Sequence, residues 1–200
     1  MDASEASSAS GRLRGPRRGL EGTVLCQMTA RTTVLTVLTI AWCGTLAAGT
    51  PEYAVKAAYL YNFAKFTEWP NAEQPGSLTV CLYGKDPFGG FLDEAVRGKQ
   101  AHGLPVLIRR LPAGDEHLDG CQVLFFSSTS RIESALSHLQ GRSILTVGES
   151  DGFSERGGMI GLVVDHGSVR FDINLAAIAA ARLQVSSRLI EIGRVVGSRK

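Results

Sequence analysis

The sequence predicts a single α/β domain: a central, mostly parallel sheet flanked by helices, closed by a C-terminal β-hairpin and further helices. Three observations carry this. Between residues 53 and 147, short apolar runs of strand formers alternate with stretches of helical character. One of those runs, QVLFF at 122–126, is apolar without interruption after Gln122, as expected of a strand buried on both faces. The part of the chain that carries the pattern is about 150 residues long, enough for one domain with a substantial core.

The first element is the most distinctive. Residues 53–70 read YAVKAAYLYNFAKFTEWP, with polar interruptions only at Lys56, Asn62, Lys65, Thr67 and Glu68. A helix this apolar is buried on most sides or docks a partner, and a central core helix is the simpler reading. Trp69-Pro70 is expected to end it, because proline lacks an amide donor and biases its predecessor away from helical geometry. A turn-rich linker follows at 71–77. Residues 78–83 (LTVCLY) predict a strand, ended by Gly84. Asp86 and Pro87 are suited to cap and open a helix over 88–96, and Gly98 stops it.

Residues 104–111 (LPVLIRRL) predict a second strand, whose Pro105 assigns it to an edge or a strand start. The QVLFF run is the third. Ile132, Ala135, Leu136 and Leu139 have helical spacing within 130–139, with Ser130 as N-cap and Glu133 as its capping-box partner. Residues 143–147 (SILTV) form a fourth strand. A glycine-rich loop spans 148–158. Residues 159–164 and 169–173 flank the turn signal DHGS and read as a hairpin. The chain ends, over 175–196, as one broken helix or two successive helices, the second capped by Ser186.

The N-terminal part stands outside this domain. Residues 1–27 are rich in Ser, Ala, Gly and Arg without periodic apolar pattern, and read as a disordered or wrongly assigned extension. Residues 28–48 have secretion-signal character: Arg31, then an apolar run over 34–46 too short to span a bilayer, then small residues at 47–49 where cleavage fits. A lipid anchor on Cys43 is disfavoured by bulky Trp42 before it. The domain proper is then 49–200, an exported domain. The chain holds 21 Lys and Arg against 19 Asp and Glu; five and three of these fall in residues 1–49, leaving 16 against 16. A neutral mature chain has no electrostatic footprint for nucleic acid and no basic patch for acidic lipid.

Cys26 and Cys43 fall in the segment to be removed, leaving Cys81 and Cys121. An even count in an exported protein argues for one disulfide, with two buried thiols on core strands as the alternative. Metal binding by two isolated cysteines is disfavoured, and His102, His117, His138 and His166 lack the i, i+4 spacing of a helical metal site. No metal and no cofactor is expected. Residues 84–90 (GKDPFGG) follow a strand and precede a helix but match neither phosphate-loop pattern. Ser127-Ser128 follows a buried strand without a G-x-S-x-G elbow. Alternation along 169–174 sets Arg170, Asp172 and Asn174 on one polar face, most simply solvated. The residues therefore show no catalytic constellation.

Taken in order, several blocks resemble the YfiR-like family of periplasmic regulatory proteins. They are Glu52-Tyr53-x3-Ala57-x-Tyr59-Leu60-Tyr61-Asn62-Phe63-x-Lys65-Phe66-x2-Trp69-Pro70, Cys81 before Gly84-x-Asp86-Pro87-Phe88-Gly89, and Cys121-Gln122-Val123-Leu124-Phe125. Leu145-Thr146-Val147-Gly148, Phe153-x3-Gly157-Gly158-Met159-Ile160, Phe171-x-Ile173-Asn174 and Ser186-Ser187-x-Leu189 complete them. The resemblance implies a periplasmic α/β domain with a disulfide between Cys81 and Cys121. It implies a repressor that holds the periplasmic domain of an inner-membrane diguanylate cyclase, or of a sensor kinase, by protein–protein contact. Release by an outer-membrane lipoprotein or by reductive misfolding would raise cyclic di-GMP and favour biofilm; homodimers occur in such proteins. Some members carry a second cysteine pair near the glycine-rich loop. This chain has none there, so redox control through that loop does not carry over.

Phe153, Arg156 and Met159 around that loop are the candidate partner contacts, with burial of Phe153 and Met159 in the core as the alternative. Other functions to be weighed are a small-ligand sensor with a pocket near Gly84 and Ser127, at the strand carboxyl ends, and a hydrolase using Ser127 or Ser128.

Overall fold

The computed structural model describes residues 51–70, 76–127 and 132–197. The expected extension, signal segment and most of the 71–77 linker lie outside the described residues, as do Ser128 and the expected cap Ser130. Helix α1 (Pro51–Phe66) opens the domain and leads into a two-residue strand β1 (Thr67–Glu68). Then come β2 (Leu78–Tyr83), α2 (Phe91–Val96), β3 (Gln100–Ala101), β4 (Leu104–Leu111), β5 (Val123–Phe126) and α3 (Ile132–His138). The chain continues through β6 (Leu145–Gly148), β7 (Ile160–Asp165), β8 (Ser168–Ile173), α4 (Leu175–Ala180), β9 (Gln184–Val185), α5 (Ser187–Ile192) and β10 (Arg194–Val195).

Eight strands form one sheet in the order β10-β8-β7-β6-β5-β2-β4-β3, while β1 and β9 pair separately. The centre, β4-β2-β5-β6-β7, is parallel; β3 against β4 and β8 against β7 are antiparallel. This is the mostly parallel sheet the sequence predicts. All four residues of β5 and of β6 are buried, as continuous apolar runs covered on both faces must be. Side-chain alternation then divides the core. Val80, Leu82, Val123, Phe125, Leu145 and Val147 face the cluster under α1 and α2. Cys81, Tyr83, Leu124 and Phe126 face a second cluster with Ile132, Leu139 and Phe153.

In α1, Ala57, Leu60, Phe63 and Ala64 are wholly buried, at spacings that put them on one face of the helix. The ring of Phe63 lies 5.0 Å from Phe171 of β8, and Tyr59 lies 5.2 Å from Phe171. The helix is thus the core element the sequence suggests, but it ends four residues before Pro70. Thr67 and Glu68 pair instead with Val185 and Gln184, so the chain is already extended when the proline is reached.

Other differences have local causes. The second helix starts at Phe91 with Gly90 as its uncapped N-cap, not at Phe88. Asp86 caps no helix: its Oδ1 accepts from the Phe88 N–H (2.7 Å) and its Oδ2 from Arg110 Nε (2.7 Å), so the aspartate closes a local turn. Ser186 occupies the N-cap position of α5, yet its side chain makes no capping bond. Pro105 does sit at the start of β4, beside the short outer strand β3, a hairpin the sequence reading missed. The hairpin from β7 to β8 forms as expected, its turn using positive φ at His166 (47°) and Gly167 (75°), which suits the strand twist. The polar face over 170–174 is solvated only at Arg170, which is exposed. Asp172 and Asn174 are buried, because residues from the glycine-rich loop cover them.

Candidate functional site

Two irregular segments sit on the face of the sheet opposite α1, and both contain residues singled out in the sequence. The first is the loop 112–121 between β4 and β5. It ends in Cys121, whose sulfur is bonded to that of Cys81 in mid-β2, with Cα atoms 5.8 Å apart across 40 residues of sequence. The bridge therefore ties the loop to the centre of the sheet, and the two-thiol alternative is set aside. Arg109 stands opposite Cys81 in the β2–β4 register. Its Nη2 donates to the carbonyl of His117 (3.0 Å) and to Cys121 Sγ (3.1 Å), while its Nε is buried without a partner. Tyr83 adds a third tie by accepting from the Gly114 N–H (2.7 Å).

The second segment is the glycine-rich loop after β6. Phe153 is its centre and is 1% exposed. The reason for the flanking glycines is visible here: a Cβ on Gly148 or Gly158 would lie 2.4 Å or 2.1 Å from the Phe153 ring. The ring is clamped between two backbones that only glycine lets so close. Ser154 Oγ donates to the Asp172 carbonyl (3.1 Å), and Asn174 Nδ2 donates to the Ser154 carbonyl (2.8 Å). Asp172 itself pairs with Arg194 of β10 (2.6 Å). Arg156 reaches Glu133 of α3 (2.9 Å) and Ser150 (2.7 Å). The Met159 N–H donates to Thr146 Oγ1 (3.1 Å).

The three candidate contact residues thus differ in kind. Phe153 is a core plug. Met159 is mostly buried, but lines a groove of about 380 Å³ with Leu136, Leu139, Gly157, Ala177 and Ala181, between α3 and α4. The side chain of Arg156 is 39% exposed.

One tie joins this loop to α1 and had no sequence signal beyond a lysine on an apolar helix. Lys56 Nζ lies 2.7 Å from Glu149 Oε2 and 2.6 Å from Glu52 Oε1, with the Lys56 and Glu149 side chains both 5% exposed. Burial pulls the Lys56 pKa down, but the hydrogen bonds it donates to Glu149 and Glu52 outweigh this and hold the ammonium above its ordinary range. Burial, and next the Glu149 charge, push the nearby Tyr53 phenol up.

Ser127 is buried at the end of β5. The histidines engage other groups: His102 with the Ala64 carbonyl, His117 with Asp115, His138 with the Ser134 carbonyl and His166 with Asp165. Near Gly84, the 1%-exposed Phe88 packs its ring 4.8 Å from Phe125 and 5.6 Å from Tyr53. Among the described residues no group of three or more His, Cys, Asp or Glu is placed to hold a metal ion, and no helix is long and apolar enough to cross a membrane.

The molecule is thus a disulfide-bridged α/β domain whose irregular segments are fixed to one face of its sheet. Comparison with known families makes the assignment specific: the YfiR/HmsC-like family profile matches residues 53–194, and the chain belongs to that family. No curated protein matches the chain. Among solved structures, the ABC domain in complex with L-Trp from Streptococcus pneumonia is similar at 12% identity and a TM-score of 0.46, over 72% of this chain and 60% of that one. This chain therefore spans less than two thirds of that structure, and a likeness so distant carries no functional argument.

Proposed function

We propose that this protein is a periplasmic regulator without catalytic activity of its own, which represses an inner-membrane diguanylate cyclase or a similar sensor, such as a sensor kinase, by binding its periplasmic domain. The observation that carries this reading is membership of the YfiR/HmsC-like family over nearly the whole described domain. The Cys81–Cys121 bridge supports it, since such bonds persist in oxidising compartments. An outer-membrane lipoprotein would relieve repression, and a homodimer is the proposed assembly.

The partner surface in this reading is the exposed edge of the glycine-rich loop. Arg156 stands beside the groove that Met159 lines, while Phe153 acts indirectly by holding the loop in shape. Mild crosslinking in intact cells, followed by purification from membranes and mass spectrometry, tests the function. Recovery of a membrane sensor with a periplasmic domain is expected; repeated recovery of none would overturn it. Arg156→Glu is expected to reduce that recovery without changing the melting temperature by more than a few degrees.

A further inference from the structure

The two sulfurs of the disulfide sit in unequal surroundings. Cys81 is wholly buried in mid-strand between Val80 and Leu82, themselves buried. Cys121 is also buried, at 4% exposed, but it closes a surface loop whose preceding residue, Gly120, is exposed. Among the described residues, the polar contact to the bridge comes from Arg109, and it goes to Cys121 alone. Register on the sheet fixes this asymmetry. Arg109 projects from β4 on the same face as Cys81, passes it, and is held by the His117 carbonyl with its guanidinium 3.1 Å from the outer sulfur.

We propose that, in the reduced chain, Cys121 is the entering thiol of disulfide exchange and Cys81 the resolving thiol, with Arg109 positioning and charge-stabilising the Cys121 thiolate. The co-reactant is a disulfide-bearing oxidant, protein or small molecule. The Cys121 thiolate attacks one sulfur of the oxidant, forms a mixed disulfide and expels the other sulfur as thiolate. Cys81 then loses its proton and attacks the Cys121 sulfur, which releases the second oxidant thiolate. Two protein thiols lose two electrons and two protons, and one external disulfide becomes two thiols. Run backwards, reduction begins with an external thiolate at the Cys121 sulfur, which expels Cys81 as the first thiolate; a second external thiolate then takes the bound group and frees Cys121 as the thiolate beside Arg109. A cation next to a sulfur favours its thiolate, and the thiolate is the reacting form.

The other charged groups about the loop do not compete for that role. Asp115 accepts from the His117 N–H (2.8 Å), Asp119 pairs with Arg142 (2.6 Å), and Glu116 is exposed. The Tyr83 phenol is engaged by Gly114. This inference is independent of the partner proposed above.

The test uses the full reduced protein and oxidised glutathione. Peptide mapping of quenched samples is expected to find the first glutathione on Cys121; first modification at Cys81 would overturn the proposal. The substitutions Cys81→Ser and Cys121→Ser then leave one thiol each, and the rate at pH 7 is expected to be higher for the chain that retains Cys121. Its pH midpoint is expected below the ordinary thiol value of about 8.5. Adding Arg109→Met to the chain that retains Cys121 is expected to slow it about three- to tenfold and to return the midpoint towards that value, since the thiolate lost per unit of pKa is partly offset by nucleophilicity. Arg109→Lys keeps the charge and is expected to restore much of the rate. An unchanged midpoint in the folded Arg109→Met chain would overturn the role of Arg109. Should that chain not fold, the mapping on unsubstituted protein still decides which sulfur enters.

Discussion

On one face of the sheet a 16-residue helix, α1, lays a continuous apolar side against Phe125, Phe171 and their neighbours. On the other face a seven-residue helix and two irregular segments do the covering, and the apolar cluster there is smaller. The first face closes by helix packing, which regular backbone hydrogen bonding makes self-sufficient. The second cannot, because loops contribute few apolar side chains. It is held instead by point fasteners: the Cys81–Cys121 bond, the Phe153 ring between two glycines, the Arg156–Glu133 pair, and Lys56–Glu149 across to α1. Burial by area tolerates small losses at any one position, whereas fastening by points concentrates the cost in single residues.

That contrast can be broken or sharpened by substitution. The largest loss is expected from Phe153→Ala, about 3–5 kcal/mol as for other wholly buried aromatic rings, read from the urea midpoint. Gly158→Ala is expected to be damaging alone but nearly harmless in the Phe153→Ala background, because the ring it would strike is gone. A full cost of Gly158→Ala in both backgrounds would show that the clamp is not what requires glycine.

Lys56→Met is next, at up to about 3–5 kcal/mol, because it removes the cation that faces the buried Glu149 carboxylate. The double change Lys56→Met with Glu149→Met should recover most of that loss; a double variant as weak as the single one would mean the helix needs the charge itself. The pH dependence has a definite sign. The folded ammonium titrates above its ordinary 10.5, so its contribution is fully present below that pH and is lost as pH rises through the folded value.

Cys81→Ser is expected to cost about 2–5 kcal/mol, the usual loss for a native bridge in a small exported domain. Hydrogen exchange should localise the damage to the loop 112–121 and α3, with α1 protected as before. Equal loss of protection in α1 would erase the distinction between the two faces. Arg156→Ala comes last, under about 1 kcal/mol, because a half-exposed pair contributes little in water.

The same contrast explains which parts of the molecule could be read in advance. The strands β2, β5 and β6 and the β7–β8 hairpin were legible because continuous apolar runs and a DHGS turn are local signals. The second helix was placed three residues early because Asp86 spends its carboxylate on the Phe88 N–H and Arg110, a choice its neighbours in sequence do not announce. For Asp172, alternation gave the correct face but not its fate. Burial came from Ser154 and the loop folding over it, and its cation is Arg194, 22 residues on.

The sequence by itself determined the α/β class, the core role of the first helix, the presence of two cysteines available for a bridge, and the family. These follow from periodicity, composition and ordered motifs, each expressed within a few neighbouring residues. Only the tertiary structure decided that Arg109 faces Cys121, that Lys56 meets Glu149, and that Phe153 is a plug where Arg156 is surface. Those outcomes depend on strand register and on which loop lands over which face, and both are set by packing between segments far apart in the chain.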